Sequence, residues 1–429
     1  MQWTIKDHPR KTKMKFSPQQ AQALTDIKHW HDRRDKQIFR LEGYAGTGKT
    51  SLAKHIAEMI PGKVFFCAFT GKAAHALHMK GCAGASTIHS LIYLPKQGYE
   101  ARAKEYLEEL EELRIQISEE VATPGEHKIR ITQLEEILKD MTTVKFILDE
   151  NSEAENAALI IVDESSMVSN QLAEDLLSFN RPILTLGDPA QLPPVKGAGY
   201  FSKILPDVLL TEVHRQALES PVLKLATDIR NGVPLHHGRW DGDRDGESAA
   251  VMPREEMTFT EMMKCGQILC GMNATRRKIN RRYRNQLGIL NNKYPVIGEQ
   301  LISLKNCFED GLLNGTLCKV KSLLPDGDCL NSIKLGVTTE LGEYTALKVN
   351  REIFDAYETG EYDQNKNSFF AVGHPMDFSY AITVHKSQGS QWEDVVVCNE
   401  TPSMWNQSFK KKWLYTAVTR ASKNIIILT

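Results

Sequence analysis

Short apolar runs in the first half of the chain alternate with segments whose apolar residues recur at helical spacing. The runs at Ile38–Leu41, Val64–Phe69, Leu159–Val162 and Pro182–Leu186 are typical of buried strands. Between the first two runs, Ser51–Ile60 carries apolar residues three to four positions apart, which predicts a helix. This alternation of strands and helices predicts an α/β fold.

The same alternation returns in the second half, around a segment of different character. Cys270–Asn273, Val395–Cys398 and Asn424–Leu428 predict strands, and Ala274–Leu287 predicts a helix. That helix is strongly basic, which reflects solvation, internal ion pairs or contact with a DNA backbone. Residues 295–375 are rich in Gly and Asn and predict a small β-rich subdomain. Its β-like runs are Gln300–Leu304, Leu317–Leu323 and Glu343–Val349.

An acidic insertion interrupts the first unit at residues 93–157. Two helical stripes separated by Thr123-Pro124-Gly125 predict a two-helix arm. The stripes are Tyr106, Leu110, Leu113 and Ile117, and Leu134, Ile137, Leu138 and Met141. Residues 100–155 hold 16 Asp and Glu and 7 Lys and Arg, a net charge of −9, whereas the whole chain carries −1. The remaining residues therefore carry +8, which suits a phosphate-backbone partner, while the acidic face is either solvated or contacts a basic protein.

Composition is that of an ordinary globular protein. Hydrophobic residues make up 41% and charged residues 25% of 429 residues, a length that suits about two to four domains. No apolar run is long enough to span a membrane, and the first residues lack the apolar core of a signal peptide. The eight cysteines are scattered without a C-x-x-C pair, so we expect reduced thiols in a cytoplasmic setting.

The strongest chemical signal is Gly43–Thr50, which forms the pattern G-x-x-x-x-G-K-T between a predicted strand and a predicted helix. In this context the glycines let successive backbone N–H groups converge on phosphates, and the helix N-terminus adds partial positive charge. Lys49 is placed to reach the β- and γ-phosphates, and the Thr50 hydroxyl to ligate Mg²⁺. The sequence therefore predicts a nucleoside triphosphate site.

A carboxylate pair, Asp163-Glu164, directly follows the apolar run that ends at Val162. Downstream of a phosphate loop, the first carboxylate of such a pair holds Mg²⁺ and the second orients and deprotonates the attacking water. Gln191, after the next strand, and Arg215 are candidates for contact with the γ-phosphate. A role in a polar turn explains Gln191 equally well, and a surface ion pair explains Arg215 equally well.

Other polar residues also have two interpretations. Gln20 either closes a capping box at the start of the first helix or contacts adenine. Thr70, Thr87 and His89 lie at strand ends or helix starts, where they either cap helices or hold the phosphates of a nucleic-acid strand. Arg420 at a helix end either compensates the helix dipole or reaches the γ-phosphate.

Eight motifs occur in order and together resemble the motif set of superfamily 1 helicases. They are GYAGTGKT, AFTGKAA, STIHSL, VDESSM, LGDPAQLPPV, TEVHRQ, ITVHKSQGSQW and YTAVTRA. VDESSM and STIHSL are similar to the RecD/Dda-like branch, and differ from the UvrD-like branch with its DEYQD-type pair. The resemblance covers residues 16–429, apart from the insertion at 93–157 and looser matching in 295–375.

The resemblance implies an α/β fold with two RecA-like parallel-sheet motor domains. The first domain would span 1–205 with the helical acidic arm inserted at about 93–157. The second would comprise 206–294 and 376–429, with the barrel-like β-rich subdomain inserted at 295–375. The implied activity is ATP-dependent, 5′→3′ translocation on single-stranded DNA with separation of duplex, in replication, recombination or repair.

The resemblance also implies roles for individual residues, with ATP and Mg²⁺ as cofactors. The nucleotide would be held by Gln20, Gly43, Ala45, Gly46, Thr47, Gly48, Lys49, Thr50, Ser51 and Gly389. Catalysis would depend on Lys49, Glu164, Gln191, Arg215 and Arg420, and the metal on Thr50 and Asp163. DNA would be bound by Thr70, Lys72, Thr87, His89, Thr383, His385 and Lys386.

The implied partners are single-stranded DNA and fork or tailed duplex DNA, with a protein partner through the acidic arm at 100–155 as a further option. We expect a monomer in the cytoplasm of a bacterium or phage-infected host. The acidic insertion occupies the place of the family's strand-separating hairpin, for which Tyr93 and Tyr99 are candidate aromatic contacts. Two other classes stay open: a small-molecule kinase, which does not explain the second α/β unit, and an interaction subunit of a recombination or nuclease complex.

Overall fold

The computed structural model describes most of the chain. The described ranges are 16–95, 127–134, 146–193, 199–203, 205–213, 219–242, 246–305, 314–325, 332–339, 342–359, 373–400 and 402–429, with the single positions 106, 109, 110, 112, 113, 116 and 312. Within them, two six-stranded sheets and one five-stranded sheet form the frame. Helices pack on both faces of the two larger sheets.

The first sheet is parallel throughout, in the order β3-β2-β6-β7-β1-β8. Its strands are β1 (Ile38–Gly43), β2 (Val64–Ala68), β3 (Ser86–Thr87), β6 (Leu159–Asp163), β7 (Ile183–Gly187) and β8 (Val208–Leu210). Along β6, Leu159 and Ile161 face one hydrophobic core and Ile160 and Val162 face the other. Because successive side chains of a strand point to opposite faces, burial of both faces explains the continuous apolar runs.

Helices cover both faces of this sheet. They are α1 (Pro18–Arg33), α2 (Lys49–Met59) and α3 (Gly71–Met79) on one face, and α4 (Ile88–Ile92) and α5 (Asn170–Leu177) on the other. Single 3-10 turns occur at Glu153–Asn156, Ser165–Met167 and Tyr200–Lys203. Helix α1 begins with the predicted capping box, in which the Ser17 side chain accepts from the Gln20 N–H and Gln20 Oε1 accepts from the Ser17 N–H.

The acidic insertion leaves the first domain through a two-stranded antiparallel stem. The stem consists of β4 (Tyr93–Pro95) and β5 (Phe146–Leu148). Between the two stem strands, the described residues are helical, and Leu110 and Leu134 are buried in one small apolar cluster. The two predicted helical stripes therefore contact each other through these residues. Residues Tyr99, Ile117, Ile137, Leu138 and Met141 lie outside the described part of the chain.

The second six-stranded sheet has the order β17-β11-β18-β19-β10-β9 and is parallel except for its edge strand β9. Its strands are β9 (Gly238–Asp241), β10 (Ser248–Met252), β11 (Gln267–Cys270), β17 (Ala381–Thr383), β18 (Trp392–Cys398) and β19 (Ala421–Leu428). Helix α6 (Pro221–Asn231) packs on one face, and α7 (Phe259–Met262) and α8 (Asn273–Gln286) pack on the other, with a 3-10 turn at Arg254–Glu256.

The five-stranded sheet is antiparallel, in the order β15-β14-β13-β12-β16. Its strands are β12 (Gln300–Ser303), β13 (Leu317–Leu324), β14 (Ser332–Thr339), β15 (Gly342–Asn350) and β16 (Met376–Phe378), with helix α9 (Glu352–Thr359) beside them. The last helix, α10 (Gln407–Val418), packs on the same face of the second sheet as α6.

Two buried ion pairs attach the basic helix α8 to the antiparallel subdomain. Arg276 binds Asp377 (Nη1 to Oδ2, 2.5 Å), and Arg284 binds Glu299 (Nε to Oε1, 2.8 Å). Arg282 lies over the Phe259 ring. For these three arginines, internal contacts explain the basic character of the helix. A buried guanidinium needs a charged partner. Arg276 and Arg284 find theirs in the antiparallel subdomain, so the two ion pairs connect that subdomain to α8.

Two short strands lie beyond the expected domain boundaries. β8 pairs with β1, so the first sheet extends past residue 205. β16 pairs with β12, so the antiparallel sheet extends past residue 375. Each strand has only three residues. Backbone hydrogen bonds to a strand far away in sequence determine which sheet it joins, and the local sequence gives no sign of that pairing.

In the described part of the chain, no helix has the length and apolar character needed to cross a bilayer. Cys67, Cys82, Cys265, Cys270, Cys318 and Cys398 are free thiols, as expected.

Candidate functional site

A cavity of about 420 Å³ lies between the two larger sheets, where β1, β6 and β7 end. Ligands of parallel α/β sheets bind at the carboxyl ends of the strands. The first domain contributes Lys49, Thr50, Asp163, Glu164, Asp188 and Gln191 to its wall, and the second contributes Gly389, Ser390, Gln391, Thr419 and Arg420. The fold thus brings predicted nucleotide residues from both halves of the chain to one cleft.

The phosphate loop has the backbone shape that its motif predicts. Gly46 and Gly48 adopt positive φ angles of 79° and 76°, a conformation that costs glycine little. The Lys49 ammonium donates to the carbonyls of Gly43 and Tyr44. The Gln20 amide contacts the loop as well, because its Nε2 donates to the Thr47 carbonyl (2.9 Å). Gln20 therefore both caps α1 and supports the loop, and its contact with adenine stays a prediction.

Asp163 and Glu164 stand at the end of β6. Asp163 Oδ1 accepts the Glu164 N–H (2.8 Å), and Glu164 has a left-handed backbone with φ of 51°. That conformation is uncommon for residues other than glycine and occurs often at functional sites. Burial raises the pKa of both carboxyl groups, and the Asp163 charge raises the pKa of Glu164 further. A raised pKa suits a proton acceptor that works near neutral pH.

Gln191 and Arg420 approach the cleft from opposite domains. Gln191 Oε1 is buried and has no hydrogen-bond partner among the described residues, which leaves it available to a ligand or water. Arg420 is 6% exposed, and its guanidinium donates to the carbonyls of Thr416 (3.1 Å) and Ser390 (3.2 Å). Burial lowers the pKa of Arg420, while Glu164 and Asp188 oppose that shift. Arg215 lies outside the described residues.

The described residues contain no group of three or more His, Cys, Asp or Glu side chains placed to hold a metal. The oxygen donors that line the cavity near the phosphate loop include the Thr50 hydroxyl and the Asp163 carboxylate. Such a set suits Mg²⁺, which usually takes one or two protein carboxylates and completes its shell with water and substrate phosphates.

The three predicted strand-binding threonines lie at or just after the carboxyl ends of β2 and β3 in the first sheet and of β17 in the second. Thr70 follows β2, and Thr87 ends β3; both hydroxyls cap the next helix, by accepting from the N–H groups of Ala73 and Ser90. Thr383 ends β17 on the other domain. Capping is therefore one role of the two threonines in the first domain, and contact with a nucleic-acid strand stays a prediction.

The two predicted histidines are half-buried beside aromatic rings. The His89 ring lies 5.6 Å from the Tyr93 ring, and the His385 ring lies 6.2 Å from the Phe409 ring. Burial lowers the pKa of both histidines. Neutral imidazoles beside aromatic rings suit hydrogen bonding and stacking rather than charge pairing.

Lys72 and Lys386 occupy different environments. Lys386 Nζ donates to Asn314 of the antiparallel subdomain (2.9 Å). Lys72 lines the cleft, and its ammonium lies 5.3 Å from the centre of the Trp392 ring in the second domain. The structure therefore places Lys72 at the domain interface, and its contact with DNA stays a prediction.

Tyr93 lies on the stem of the acidic insertion. Its hydroxyl donates to Asp175 Oδ2 on α5, which fixes the ring against the first domain. Tyr93 thus has a structural role, and its contact with a separated strand stays a prediction.

Sequence reasoning missed Asp188 and Tyr415. Asp188 directly follows β7 and is buried in the cleft. Tyr415 on α10 hydrogen bonds to it across the interface. Asp188 stands inside the LGDPAQLPPV motif and Tyr415 begins YTAVTRA, so motif membership is the signal that marks both.

Two family models match the chain. The model described as an AAA domain matches residues 15–244, and the one described as a UvrD-like helicase C-terminal domain matches residues 378–428. The first match covers more than half of the chain, and it contains the phosphate loop and the carboxylate pair.

Two curated relatives are DNA helicases. The chain is 25% identical over 442 residues to the ATP-dependent RecD2 DNA helicase of Deinococcus radiodurans, covering 98% of this chain and 49% of that protein. It is 26% identical over 227 residues to the ATP-dependent DNA helicase dda of Enterobacteria phage T4, covering 49% of this chain and 40% of that protein. The chain therefore spans half or less of the length of these relatives.

Solved structures share the fold. A Pif1 helicase structure describing unwinding at forked double-stranded DNA has a TM-score of 0.52 and 18% identity, covering 97% of this chain and 92% of that chain. A Bacteroides Pif1 helicase in complex with ADP-AlF3 and single-stranded DNA has a TM-score of 0.50 and 18% identity, covering 96% and 92%. At this identity the likeness establishes the fold.

Proposed function

Because the chain belongs to the AAA-domain family and to the RecD/Dda-like helicases of superfamily 1, we propose that it is an ATP-dependent DNA helicase that moves 5′→3′ on single-stranded DNA. The observation that carries this proposal is the shared cleft, in which the phosphate loop of one domain faces Arg420 of the other. A nucleotide bound there would be contacted by both domains, so its binding and hydrolysis would change their separation.

In the proposed reaction, Lys49 and the backbone of the phosphate loop hold the phosphates of ATP. Glu164 accepts a proton from the attacking water, and Gln191 contacts the γ-phosphate or that water. Arg420 stabilises the charge on the transferring phosphoryl group. Thr50 and Asp163 would hold Mg²⁺, which neutralises phosphate charge when bound. Arg215 is proposed as a second cationic contact.

The proposed DNA path crosses the carboxyl edges of both larger sheets. Thr70, Thr87 and His89 would contact one end of the strand, and Thr383 and His385 the other. Each group moves with its own domain, so closure around ATP shortens the distance between them. Hydrolysis restores that distance, and alternating grip by the two groups would move the protein along the strand.

The acidic arm is proposed to lie away from the DNA path. Its net charge of −9 over residues 100–155 disfavours contact with a phosphate backbone, so a basic protein surface is its proposed partner. A variant without residues 100–145 should still fold, because the stem strands β4 and β5 remain. It should also keep single-stranded DNA binding, because the deleted residues carry a net negative charge. Loss of DNA binding by a folded variant of this kind would assign the arm to the DNA site.

Unwinding of tailed duplexes tests the proposed function directly. We expect single-stranded DNA to stimulate ATP hydrolysis, and duplexes with a 5′ tail to be separated while those with a 3′ tail are not. ATP hydrolysis that single-stranded DNA does not stimulate would instead favour a small-molecule kinase. Lys49→Ala serves as the inactive control in both assays.

A further inference from the structure

The Tyr415 hydroxyl joins the two motor domains at the phosphate loop. Tyr415 is 1% exposed. Its hydroxyl accepts a hydrogen bond from the Ala45 N–H (2.9 Å) and donates one to Asp188 Oδ2 (2.8 Å). Ala45 belongs to the phosphate loop, Asp188 follows β7, and Tyr415 lies on α10 of the second domain. One buried hydroxyl therefore connects two motifs of the first domain with the last helix of the second.

The protonation state of this bridge is well defined. Burial, the Asp188 charge and the hydrogen bond to Asp188 raise the pKa of Tyr415, so the hydroxyl keeps its proton and can donate while it accepts from Ala45. Asp188 is oriented independently, because its Oδ1 accepts the Ala190 N–H (3.0 Å). Hydrogen bonds to a buried carboxylate are among the stronger ones in proteins.

Helix α10 carries Tyr415 and Arg420 as one unit. Arg420 Nε donates to the Thr416 carbonyl on the last turns of this helix (3.1 Å). Tyr415 to Val418 are all buried, so the end of the helix is packed firmly into the second domain. A shift of Tyr415 relative to the phosphate loop must therefore shift Arg420 as well.

Other contacts between the domains involve the segment after β7 and the Tyr44 ring. Thr416 Oγ1 accepts the Leu192 N–H (2.8 Å), and Lys412 Nζ donates to the Pro189 carbonyl (2.9 Å). These contacts hold the segment after β7. Arg230 lies over the Tyr44 ring at 3.8 Å, which adds a stacking contact to the loop. The Tyr415 contact differs because it binds a backbone N–H of the phosphate loop itself.

We infer that Tyr415 is a positioning residue for ATP hydrolysis: its hydroxyl fixes the second domain against the phosphate loop and sets the approach of Arg420 to the γ-phosphate. This inference rests on the proposed function. Tyr415 would act by positioning Arg420, and the tyrosine itself would not touch the reacting atoms.

The test compares two buried tyrosines. Tyr415→Phe removes the bridge and keeps the ring, whereas Tyr380→Phe removes a comparable hydroxyl whose partner, Glu299, lies in the same half of the chain (3.1 Å). We expect Tyr415→Phe to lower the kcat of DNA-stimulated ATP hydrolysis about tenfold, in line with one hydrogen bond to a charged group. The KM for ATP should change much less, and Tyr380→Phe should keep the wild-type kcat.

A double substitution shows whether Tyr415 acts through Arg420. In an Arg420→Ala background, Tyr415→Phe should cause little further loss, because residues that act as a unit are non-additive. Additive losses, a wild-type kcat for Tyr415→Phe, or a change confined to KM would overturn the inference.

The distance between the domains gives a readout that does not need ATP turnover. Dyes placed on exposed positions of α2 and β9 should report a more open average distance for nucleotide-free Tyr415→Phe than for the wild type or Tyr380→Phe. An unchanged distance would contradict the bridge. A wild-type protein without DNA-stimulated hydrolysis would refute the proposed function instead, and the distance measurement would still decide whether the hydroxyl holds the domains together.

Discussion

The Arg420 guanidinium and the Glu164 carboxylate line the same cleft, although they belong to different sheets of the protein. Each influences the other: the Arg420 charge opposes the rise in the pKa of Glu164, and the Glu164 charge opposes the fall in the pKa of Arg420. The candidate site therefore needs residues from both domains. Under the proposed function, this dependence would link ATP hydrolysis to domain movement.

Lys49→Ala should abolish ATP hydrolysis and leave the fold intact. Among the described residues, the ammonium hydrogen bonds to loop carbonyls, so its loss disturbs no hydrophobic core, whereas phosphate binding loses its central cation. The measurement is DNA-stimulated ATP turnover together with the melting temperature. Lys54→Ala, an exposed position on the same helix, is the matched control, and turnover near the wild-type rate in Lys49→Ala would contradict the assignment.

Glu164→Gln should bind ATP and fail to hydrolyse it. The amide keeps the size and the backbone position of the side chain but cannot accept the proton from water. ATP affinity and single-turnover hydrolysis, measured on the same preparation, separate the two effects. A variant that no longer binds nucleotide would show that Glu164 serves binding rather than proton transfer.

Gly389→Ala should weaken the contact between the domains. Gly389 has a φ of 77°, and an added Cβ would lie 3.3 Å from Thr70 Oγ1 and 3.4 Å from Ala73 Cβ of the first domain. Gly288→Ala is a matched control, because Gly288 has a φ of 72° but no atom within 4 Å of such a Cβ. Both variants carry similar backbone strain, so both should lower the melting temperature by a similar amount. Only Gly389→Ala should also lower the ATP turnover of the folded protein. Equal turnover in the two variants would argue against the contact.

Acid should destabilise the protein partly through His385. Burial lowers the pKa of His385 in the folded state, while in the unfolded chain it stays near its ordinary value of about 6.5. As the pH falls below about 6.5, the unfolded chain therefore binds a proton that the folded protein does not, and stability decreases. His385→Gln should show a smaller fall in melting temperature between pH 7.5 and 5.5 than the wild type. A fall of the same size would mean that His385 does not contribute.

Much of the nucleotide site could be predicted because its residues follow apolar strands directly. The phosphate loop after β1 and Asp163-Glu164 after β6 occupy the strand ends where a parallel sheet binds ligands. The contact between Lys72 and the Trp392 ring of the second domain could not be predicted, because it joins residues that are more than 300 positions apart and share no local pattern.

Contacts between distant elements had no local signal. The bridge from Tyr415 to Ala45 and Asp188 joins residues that share no periodicity, so hydrophobic patterning could not identify it. Strand β14 was also missed, because its burial pattern does not alternate regularly and its register with β15 shifts between Leu335 and Val337. Such irregular strands lack the period-two signature on which sequence reasoning depends.

The most direct test of the shared cleft is DNA-stimulated ATP turnover by Arg420→Ala, measured with the melting temperature of the same preparation. We predict that the variant binds ATP and single-stranded DNA but loses turnover by a factor on the order of 10³, the size associated with an arginine that stabilises phosphoryl transfer. Arg420→Lys should restore little, because an ammonium lacks the planar fork of the guanidinium. A variant with a lower melting temperature and wild-type turnover per folded molecule would contradict the account, since Arg420 would then only support the end of α10.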